Sequence, residues 1–330
     1  DLQFAGDAVA RLGWNAIVDS QRHTVQVRHR ADSRPLVSIV IPFKDRADLL
    51  GVAVNSILRL TTYDPYEIVL VNNASSEPAT ASLLESWAQD PRIRVIDYSA
   101  EFNYSAANNL GVAHAKGDVL VLLNNDTQLL TPEWLDDLVG HAIRPDIGAV
   151  GAHLSFADGS IQHAGVVIGM RGFAAHLFSG DHPPFVRNEW INQTRNTSAV
   201  TAACIAVTRS KYEEIGGFDE TFILTGNDVD FCLRLLKRGY RNIYVPSVRL
   251  FHFEKKSRSA IQVPENDKLL SFKRYQPYLT IGDPYFNTNL SLATNRLQPR
   301  TGKEAGIERI RQELFGGRTN AKDEQGFLRL

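Results

Sequence analysis

From residue 36 to residue 123 the chain alternates aliphatic runs with segments whose apolar residues recur at helical spacing. "LVSIVIP" reads as a buried strand, "YEIVLVNN" and the short "IRVID" as the next two, and "VLVLL", residues 119–123, as a strand buried on both faces. Between them, residues 47–59 place Leu50, Val54, Ile57 and Leu58 at helical spacing, and residues 105–115 form another helix, closed by Gly117. Ser76 is expected as the N-cap and Pro78 as a first-turn residue of a helix burying Leu83, Leu84 and Trp87. A further helix is expected to open at Pro132. The alternation predicts an α/β fold, a mostly parallel sheet flanked by helices on both faces. Ligands of such sheets collect outside the carboxyl ends of the strands. The polar strand ends "PFKDR", "NNASS" and "NNDT" are therefore expected to face one crevice.

The second half changes pattern into a smaller mixed region. "LSFADGSIQHAGVVIG" reads as a hairpin turning at Asp158 and Gly159, and "NTSAVTAACIAVTR" as one more buried strand. Residues 227–238 form a helix with Val229, Cys232, Leu233 and Leu236 on one face and Gly239 beyond its end. The expected boundaries are an N-terminal appendage over 1–34 with one strand in "HTVQVRHR", a main domain over 35–260, and a C-terminal extension over 261–330. That extension is expected to hold a Pro- and Tyr-containing loop region and an amphipathic helix near "KEAGIERIRQELF".

Composition narrows the partners. With 330 residues, 43% apolar and 22% charged, the chain is long enough for a sizeable core. Its formal net charge of -1 gives no global attraction to nucleic acid or to an anionic membrane. Cys204 and Cys232 lack the spacing of a zinc site or a disulfide framework, which fits a reducing cytoplasm. No apolar run reaches the roughly 18 to 20 residues that span a bilayer, and the first residues lack a signal peptide's basic start and apolar centre. The chain starts at Asp1 and contains one methionine, Met170, as expected of a trimmed chain or of one module of a longer protein.

Four places carry chemistry. Asn124, Asn125 and Asp126 end a buried strand, where they either turn the chain or hold a ligand. In the second case Asp126 offers a hard oxygen to Mg or Mn, and Asn125 an amide to a sugar or phosphate. One carboxylate holds such an ion weakly, so metal and an anionic diphosphate should bind together. Asp228 and Asp230 open a helix, where carboxylates cap free N–H groups. Asp228 is the better candidate for a general base, because Asp230 points elsewhere on the helix. His252, at the end of a strand, could complete the coordination of the ion on Asp126. The basic run "KKSR", Lys255 to Arg258, could close over phosphate oxygens, whereas His163 and His176 read as structural. Neither a dinucleotide G-x-G-x-x-G nor a P-loop occurs, so phosphates must be neutralised by a metal or by cationic side chains.

Together these residues resemble the family 2 glycosyltransferases of the GT-A fold, over about residues 35–258. "VSIVIPFKDR" resembles that family's first strand and nucleotide loop, and "EIVLVNNASS" the strand whose end contacts the base. "AANNLGVAHAKGD" is similar to the helix and turn before the metal motif, and "LLNNDT" stands where the family has a D-x-D-like sequence. "GGFDETFILTGNDVDFCLRLLKRGY" resembles the acceptor-side segment ending in the catalytic acidic motif. "DPYFNTNLSL" resembles the end of bacterial transferase modules that build O-antigen and rhamnose-containing glycans. The sequence departs from the pattern at Asn108 for a common Arg, at Asn124 and Asn125, which leave one acid in the metal motif, at Asn72 and Asn73 for the usual acid, and at Asn227 for a common Glu.

The resemblance implies a GT-A domain over 35–260 that binds a nucleoside-diphosphate sugar and a divalent metal. Pro42, Phe43, Asp45, Asn73 and Asn109 would then surround the nucleotide, with Asn125 and Asp126 at the sugar diphosphate, Asp126 and His252 on the metal, and Asp228 as base. Uridine and thymidine donors both fit. It implies inverting transfer of rhamnose or another hexose to a glycan or lipid-linked acceptor, in the cytoplasm or at the inner face of its membrane, alongside other domains of a longer polypeptide. A non-catalytic sugar-nucleotide or glycan-binding module is the alternative from another class. A nucleotidyltransferase would show a Gly- and Arg-rich first loop, and "PFKDR" has no glycine.

Overall fold

Strand Val37–Phe43 is buried at every position, because its alternate side chains enter two different cores. Val37, Ile39, Ile41 and Phe43 join one cluster and Val40 the other, as the period of two along a strand requires. The structure, a computed structural model, describes residues 2–21, 24–183, 189–254 and 263–302. In chain order, α1 (Leu2–Arg11), β1 (Ala16–Gln21) and β2 (Thr24–His29) precede the main sheet. There follow β3 (Val37–Phe43), α2 (Ala47–Leu60), β4 (Tyr66–Asn72), α3 (Pro78–Ser86), β5 (Ile93–Asp97), α4 (Tyr104–His114) and β6 (Val119–Leu123). Next come β7 (Thr127–Leu129), α5 (Trp134–Ala142), β8 (Ile147–Ser155), β9 (Ile161–His163), β10 (Val166–Ile168), β11 (Ala174–His176), β12 (Arg195–Thr197) and β13 (Cys204–Thr208). The described part ends with α6 (Arg209–Glu214), α7 (Asn227–Lys237), β14 (Arg241–His252) and α8 (Glu265–Ile281).

The central sheet runs β12-β14-β8-β13-β6-β3-β4-β5, with β7 on β14 and β9 on β8. β3 is parallel to β4 and β6, and β4 to β5. β13 reverses direction against both β6 and β8, and β14 is again parallel to β8. Helices α2 and α5 cover one face of the sheet, α4 and α7 the other. α4 lies so close that a Cβ at Gly111 would stand 2.3 Å from Val40 Cγ1, so only glycine fits there.

Several local expectations change. The N-cap of α3 is Glu77 rather than Ser76, because Asp45 Oδ1 already accepts the N–H groups of Ser76 and Glu77, at 2.6 and 2.9 Å. The helix expected at Pro132 begins at Trp134, after β7 has paired with β14. The stretch "NTSAVTAACIAVTR" is two strands, β12 and β13, placed apart in the sheet. The irregular segment between them is held by other elements, with Asn124 N–H donating to the Ala203 carbonyl at 3.1 Å. α8 occupies a region expected to be loops. The "KKSR" run and the helix expected near residue 303 lie outside the described residues.

The N-terminal segment contains α1 and a second strand besides the expected one, and β1 and β2 pair as a hairpin that docks on α5. Arg28 Nε and Arg30 Nη1 reach the buried Asp137 carboxylate at 2.9 and 2.5 Å. Burial alone would raise that carboxyl, but the hydrogen bonds from Arg28, Arg30 and Ser247 hold it below the ordinary range. Beside it, His29 and His141 pack ring to ring at 5.1 Å, with Trp14 at 4.9 Å from His29. Burial, with Arg144 adjacent, pushes His29 down to about 4, and burial with His29 and Arg144 adjacent pushes His141 down to about 3. Asp137 opposes this effect on His141 and Arg30 reinforces it.

Both folded values lie below the unfolded value near 6.5. The stabilisation from keeping these rings neutral is therefore complete above about pH 6.5 and is lost as pH falls toward 4. Stability is expected to drop by on the order of 1 to 3 kcal/mol between pH 6.5 and 4.5. The amides of β2 should lose hydrogen-exchange protection in the same window. Urea unfolding across that range checks it, and a flat profile would exclude the idea.

Candidate active site

The three polar strand ends do converge. Pro42 and Phe43 at the end of β3 with Lys44, Asp45 and Arg46 after it, Asn73 after β4, and Asn124, Asn125 and Asp126 after β6 line one crevice of about 880 Å³. The second half closes it with Thr201, Ala202 and Ala203 from the segment before β13, Asp228 from α7, and His252 and Glu254 from the end of β14. Gln162 on β9, His176 on β11, and Lys268, Ser271 and Tyr275 on α8 complete the wall.

Asp126 and His252 are 3% and 7% exposed, and β7 brings them together by pairing Thr127 with His252. Phe253 N–H donates to the Asp126 carbonyl at 2.8 Å. Asp126 Oδ1 then stands 3.0 Å from His252 Nε2, and Asn124 Nδ2 faces the same nitrogen at 3.2 Å. An octahedral ion about 2.1 Å from each ligand needs neighbouring donors about 3.0 Å apart, so this pair has the spacing of two adjacent ligands. Among the described residues no group of three or more His, Cys, Asp or Glu forms a metal cluster. Two protein ligands suit Mg or Mn, which retain waters and take further oxygens from a substrate's phosphates. Asn125 lines the crevice beside them.

Asp228 is half-buried in the first turn of α7. Its Oδ1 accepts from Val229 N–H at 2.8 Å and its Oδ2 from Ala202 N–H at 3.2 Å, while Asn227 Oδ1 accepts the N–H of Asp228 at 2.8 Å. Asp228 thus satisfies one free N–H of the first turn, although the N-cap itself is Gly226, and it also lines the crevice. Asp230 does not: it is fully buried and held by Arg234 Nε at 2.7 Å and Arg274 Nε at 2.9 Å. Gly226 before the helix has a φ of 83°, and a Cβ there would meet Ser271 Oγ at 2.4 Å. Both the backbone and the contact with α8 require glycine.

The residues expected around a nucleotide divide. Pro42 and Phe43 are buried in the crevice wall, and Asp45, with a φ of 51°, turns back to accept the N–H groups of Ser76 and Glu77 just before α3. Its two backbone hydrogen bonds, from Glu77 and Ser76, hold its carboxyl below the ordinary range. Asn73 Nδ2 donates to the carbonyls of Tyr98 and Ala100, both at 3.0 Å. It thereby fixes the loop that carries Phe102, whose ring is 43% exposed at the crevice. Asn109 is a correction. Its Nδ2 donates to the Phe218 carbonyl and to Glu220, and its Oδ1 accepts from Tyr212 and Phe218 N–H. Two positions beyond Ala107, which lines the crevice, it is turned onto the 217–220 loop.

Some of this wall was not foreseen. Asp267 on α8 is fully buried and accepts the N–H groups of Ile223, Leu224 and Thr225 at 3.1, 2.8 and 2.9 Å, which fixes the approach to Gly226 and Asp228. His176, read from sequence as structural, also lines the crevice, while His163 lies behind it with its Nδ1 3.1 Å from that of His176. Burial is the main reason His176 titrates below its ordinary value.

The model of the family described as glycosyl transferase family 2 matches residues 38–216. The chain is 41% identical over 98% of its length to the O-antigen biosynthesis protein RfbC of Myxococcus xanthus, of which it covers 26%. It is 27% identical over 59% of its length to the N-acetylglucosaminyl-diphospho-decaprenol L-rhamnosyltransferase of Mycobacterium tuberculosis, of which it covers 69%. The chain spans 26% and 30% of the length of the first two curated relatives it matches. Among solved structures it resembles GalNAc-T7 with UDP, GalNAc and Mn2+, with a TM-score of 0.60 and 16% identity over 85% of this chain and 55% of that one. It also resembles the mannosyltransferase PcManGT from Pyrobaculum calidifontis in complex with GDP-Man and Mn2+, with a TM-score of 0.52 and 18% identity over 85% and 81% of the two chains. At these identities the two structures speak to the fold.

Proposed function

The chain belongs to glycosyl transferase family 2 and has a GT-A fold, and on that premise we propose that it transfers a hexosyl or deoxyhexosyl group from a nucleoside diphosphate to a hydroxyl of a bacterial surface glycan. The observation that carries this reading is the pairing of Asp126 with His252 in the same crevice as the Asp228 carboxylate. Asp126 and His252 would hold a divalent ion, which when bound would neutralise charge on the departing diphosphate. Asp228 takes the proton of the acceptor hydroxyl. As that oxygen bonds to the anomeric carbon, the bond from this carbon to the phosphate oxygen breaks, with inversion. The second acid of the helix is locked in ion pairs, which fits a mechanism needing one base. The rhamnosyltransferase and O-antigen relatives favour a surface-glycan acceptor.

Titrating nucleotide sugars with and without Mn2+ tests the reading, with transfer and donor hydrolysis as readouts. Binding tightened by Mn2+ together with transfer supports it, whereas Mn2+-dependent binding without turnover on any acceptor points to the non-catalytic module. Phe102 offers a more local check, since it is exposed in the same crevice as Asn73 and an aromatic ring there can stack on a base. Phe102→Ala should weaken UDP binding about 5- to 100-fold, the range for losing one stacked base, and leave pyrophosphate with Mn2+ unaffected. Equal weakening of UDP and pyrophosphate in calorimetry would rule out stacking.

A further inference from the structure

His252 is buried among groups that dictate which of its nitrogens carries the proton. Its Nδ1 lies 2.7 Å from Gln162 Oε1, and Gln162 Nε2 lies 2.9 Å from Glu254 Oε2. A carboxylate can only accept, so the Gln162 amide must turn its NH2 group to Glu254 and its oxygen to the imidazole. That oxygen also can only accept, so the Nδ1 of His252 must donate. A neutral imidazole with its proton on Nδ1 presents a bare lone pair on Nε2, the atom 3.0 Å from Asp126 Oδ1. Asn124 Nδ2 facing Nε2 at 3.2 Å is consistent with an acceptor there. A lone pair opposed to a carboxylate oxygen is repulsive, and either a proton on Nε2 or a divalent ion shared by the two atoms removes that repulsion; a proton would face the Asn124 NH2 group, whose oxygen takes the Tyr104 hydroxyl at 2.8 Å.

We infer that Gln162, oriented by Glu254, is a positioning residue that sets the tautomer of His252 and so prepares Nε2 to ligate a divalent cation. The inference rests on the metal-dependent reading proposed above. Gln162 is 4% exposed and sits on β9, which pairs with β8. Ser155 at the end of β8 is in turn the register partner of Phe251 beside His252. Gln162 itself falls at the register shift between the Leu154–His163 and Ser155–Ile161 pairs, and its side chain is held by His252 and Glu254. Glu254 follows His252 by two residues, and the same strand end supplies both the candidate ligand and the group that orients its support.

The test uses the chain with UDP and Mn2+ alone, read by electron paramagnetic resonance, so it does not depend on turnover. Gln162→Leu should weaken UDP-dependent Mn2+ binding 10- to 100-fold, the usual effect of removing the partner of a metal-bound histidine. Exchanging the pair, Gln162→Glu with Glu254→Gln, keeps an acceptor for Nδ1–H and a donor for that acceptor, and should restore affinity to within a few-fold of wild type. Nitrogen-15 NMR of the metal-free wild type should show His252 protonated on Nδ1 and bare on Nε2, a readout needing no variant. Equal Mn2+ affinity in Gln162→Leu and wild type, equal loss in Gln162→Leu and in the exchanged pair, or a His252 protonated on Nε2 overturns the inference and leaves the transferase reading standing. A wild type that binds no Mn2+ with UDP overturns both.

Discussion

Asp126→Ala is expected to lower glycosyl transfer by roughly 10³ or more, in line with the several kcal/mol a bound ion supplies to a transition state, and to remove the Mn2+-dependent part of nucleotide binding. The fold should survive. The backbone contacts that place Asp126 are those of the peptide itself, namely the Phe253 N–H to its carbonyl and the pairing of β7 with β14, and alanine keeps them. His252 retains Gln162 on one nitrogen and Asn124 on the other. A melting temperature within a few degrees of wild type is therefore expected alongside the lost activity. His252→Ala should cost less, since a neutral ligand contributes no opposing charge to the ion. Activity against Mn2+ concentration for both variants separates the roles. Full activity of Asp126→Ala at limiting metal would return the Asn124 to Asp126 triplet to the status of a turn.

The walls of this crevice differ in how plainly the sequence shows them. β3, β4 and β6 are legible because both faces of each are buried, so that Val119 to Leu123 reads as one unbroken aliphatic run and Val37 to Phe43 as an apolar run interrupted by Ser38, and the polar residues ending each run mark the ligand side. α8 is hidden by the opposite property. Its inward residues include Asp267 and Ser271, both buried and polar, and Pro277 lies inside it, so no apolar stripe announces a helix. The break between β12 and β13 is hidden as well, because residues 198–203 are mostly small and apolar and continue the look of a strand. That segment can leave the sheet because Asp228 accepts its Ala202 N–H and Tyr104 donates to its Ala202 carbonyl, partners far away in sequence. Asn109 was misplaced by the phase of one helix, and Gln162 carried no local signal at all, since its role exists only where β9 lies beside the end of β14.

Asp228→Asn is expected to lower transfer by roughly 10² to 10⁴, the usual contribution of a positioned proton acceptor, with donor affinity near wild type. The structure sharpens what else should change. The carboxylate now accepts two N–H groups, from Val229 at 2.8 Å and from Ala202 at 3.2 Å, and an amide has one oxygen for the two. Asparagine keeps the shorter bond and turns its NH2 group toward Ala202, so a stability loss of about 1 kcal/mol is expected; alanine, which also gives up the bond from Val229 N–H, should lose somewhat more. A residue that only caps would show these stability losses with near-normal turnover for asparagine, whereas a base shows a slow, folded enzyme in both variants. Transfer rate, donor affinity and melting temperature on the same two proteins decide between them. Near-wild-type transfer by Asp228→Asn would sink the mechanism. Asp230 could not take over the role, since it is buried between Arg234 and Arg274, and the search for a proton acceptor would move to Glu254 and His176 in the same wall.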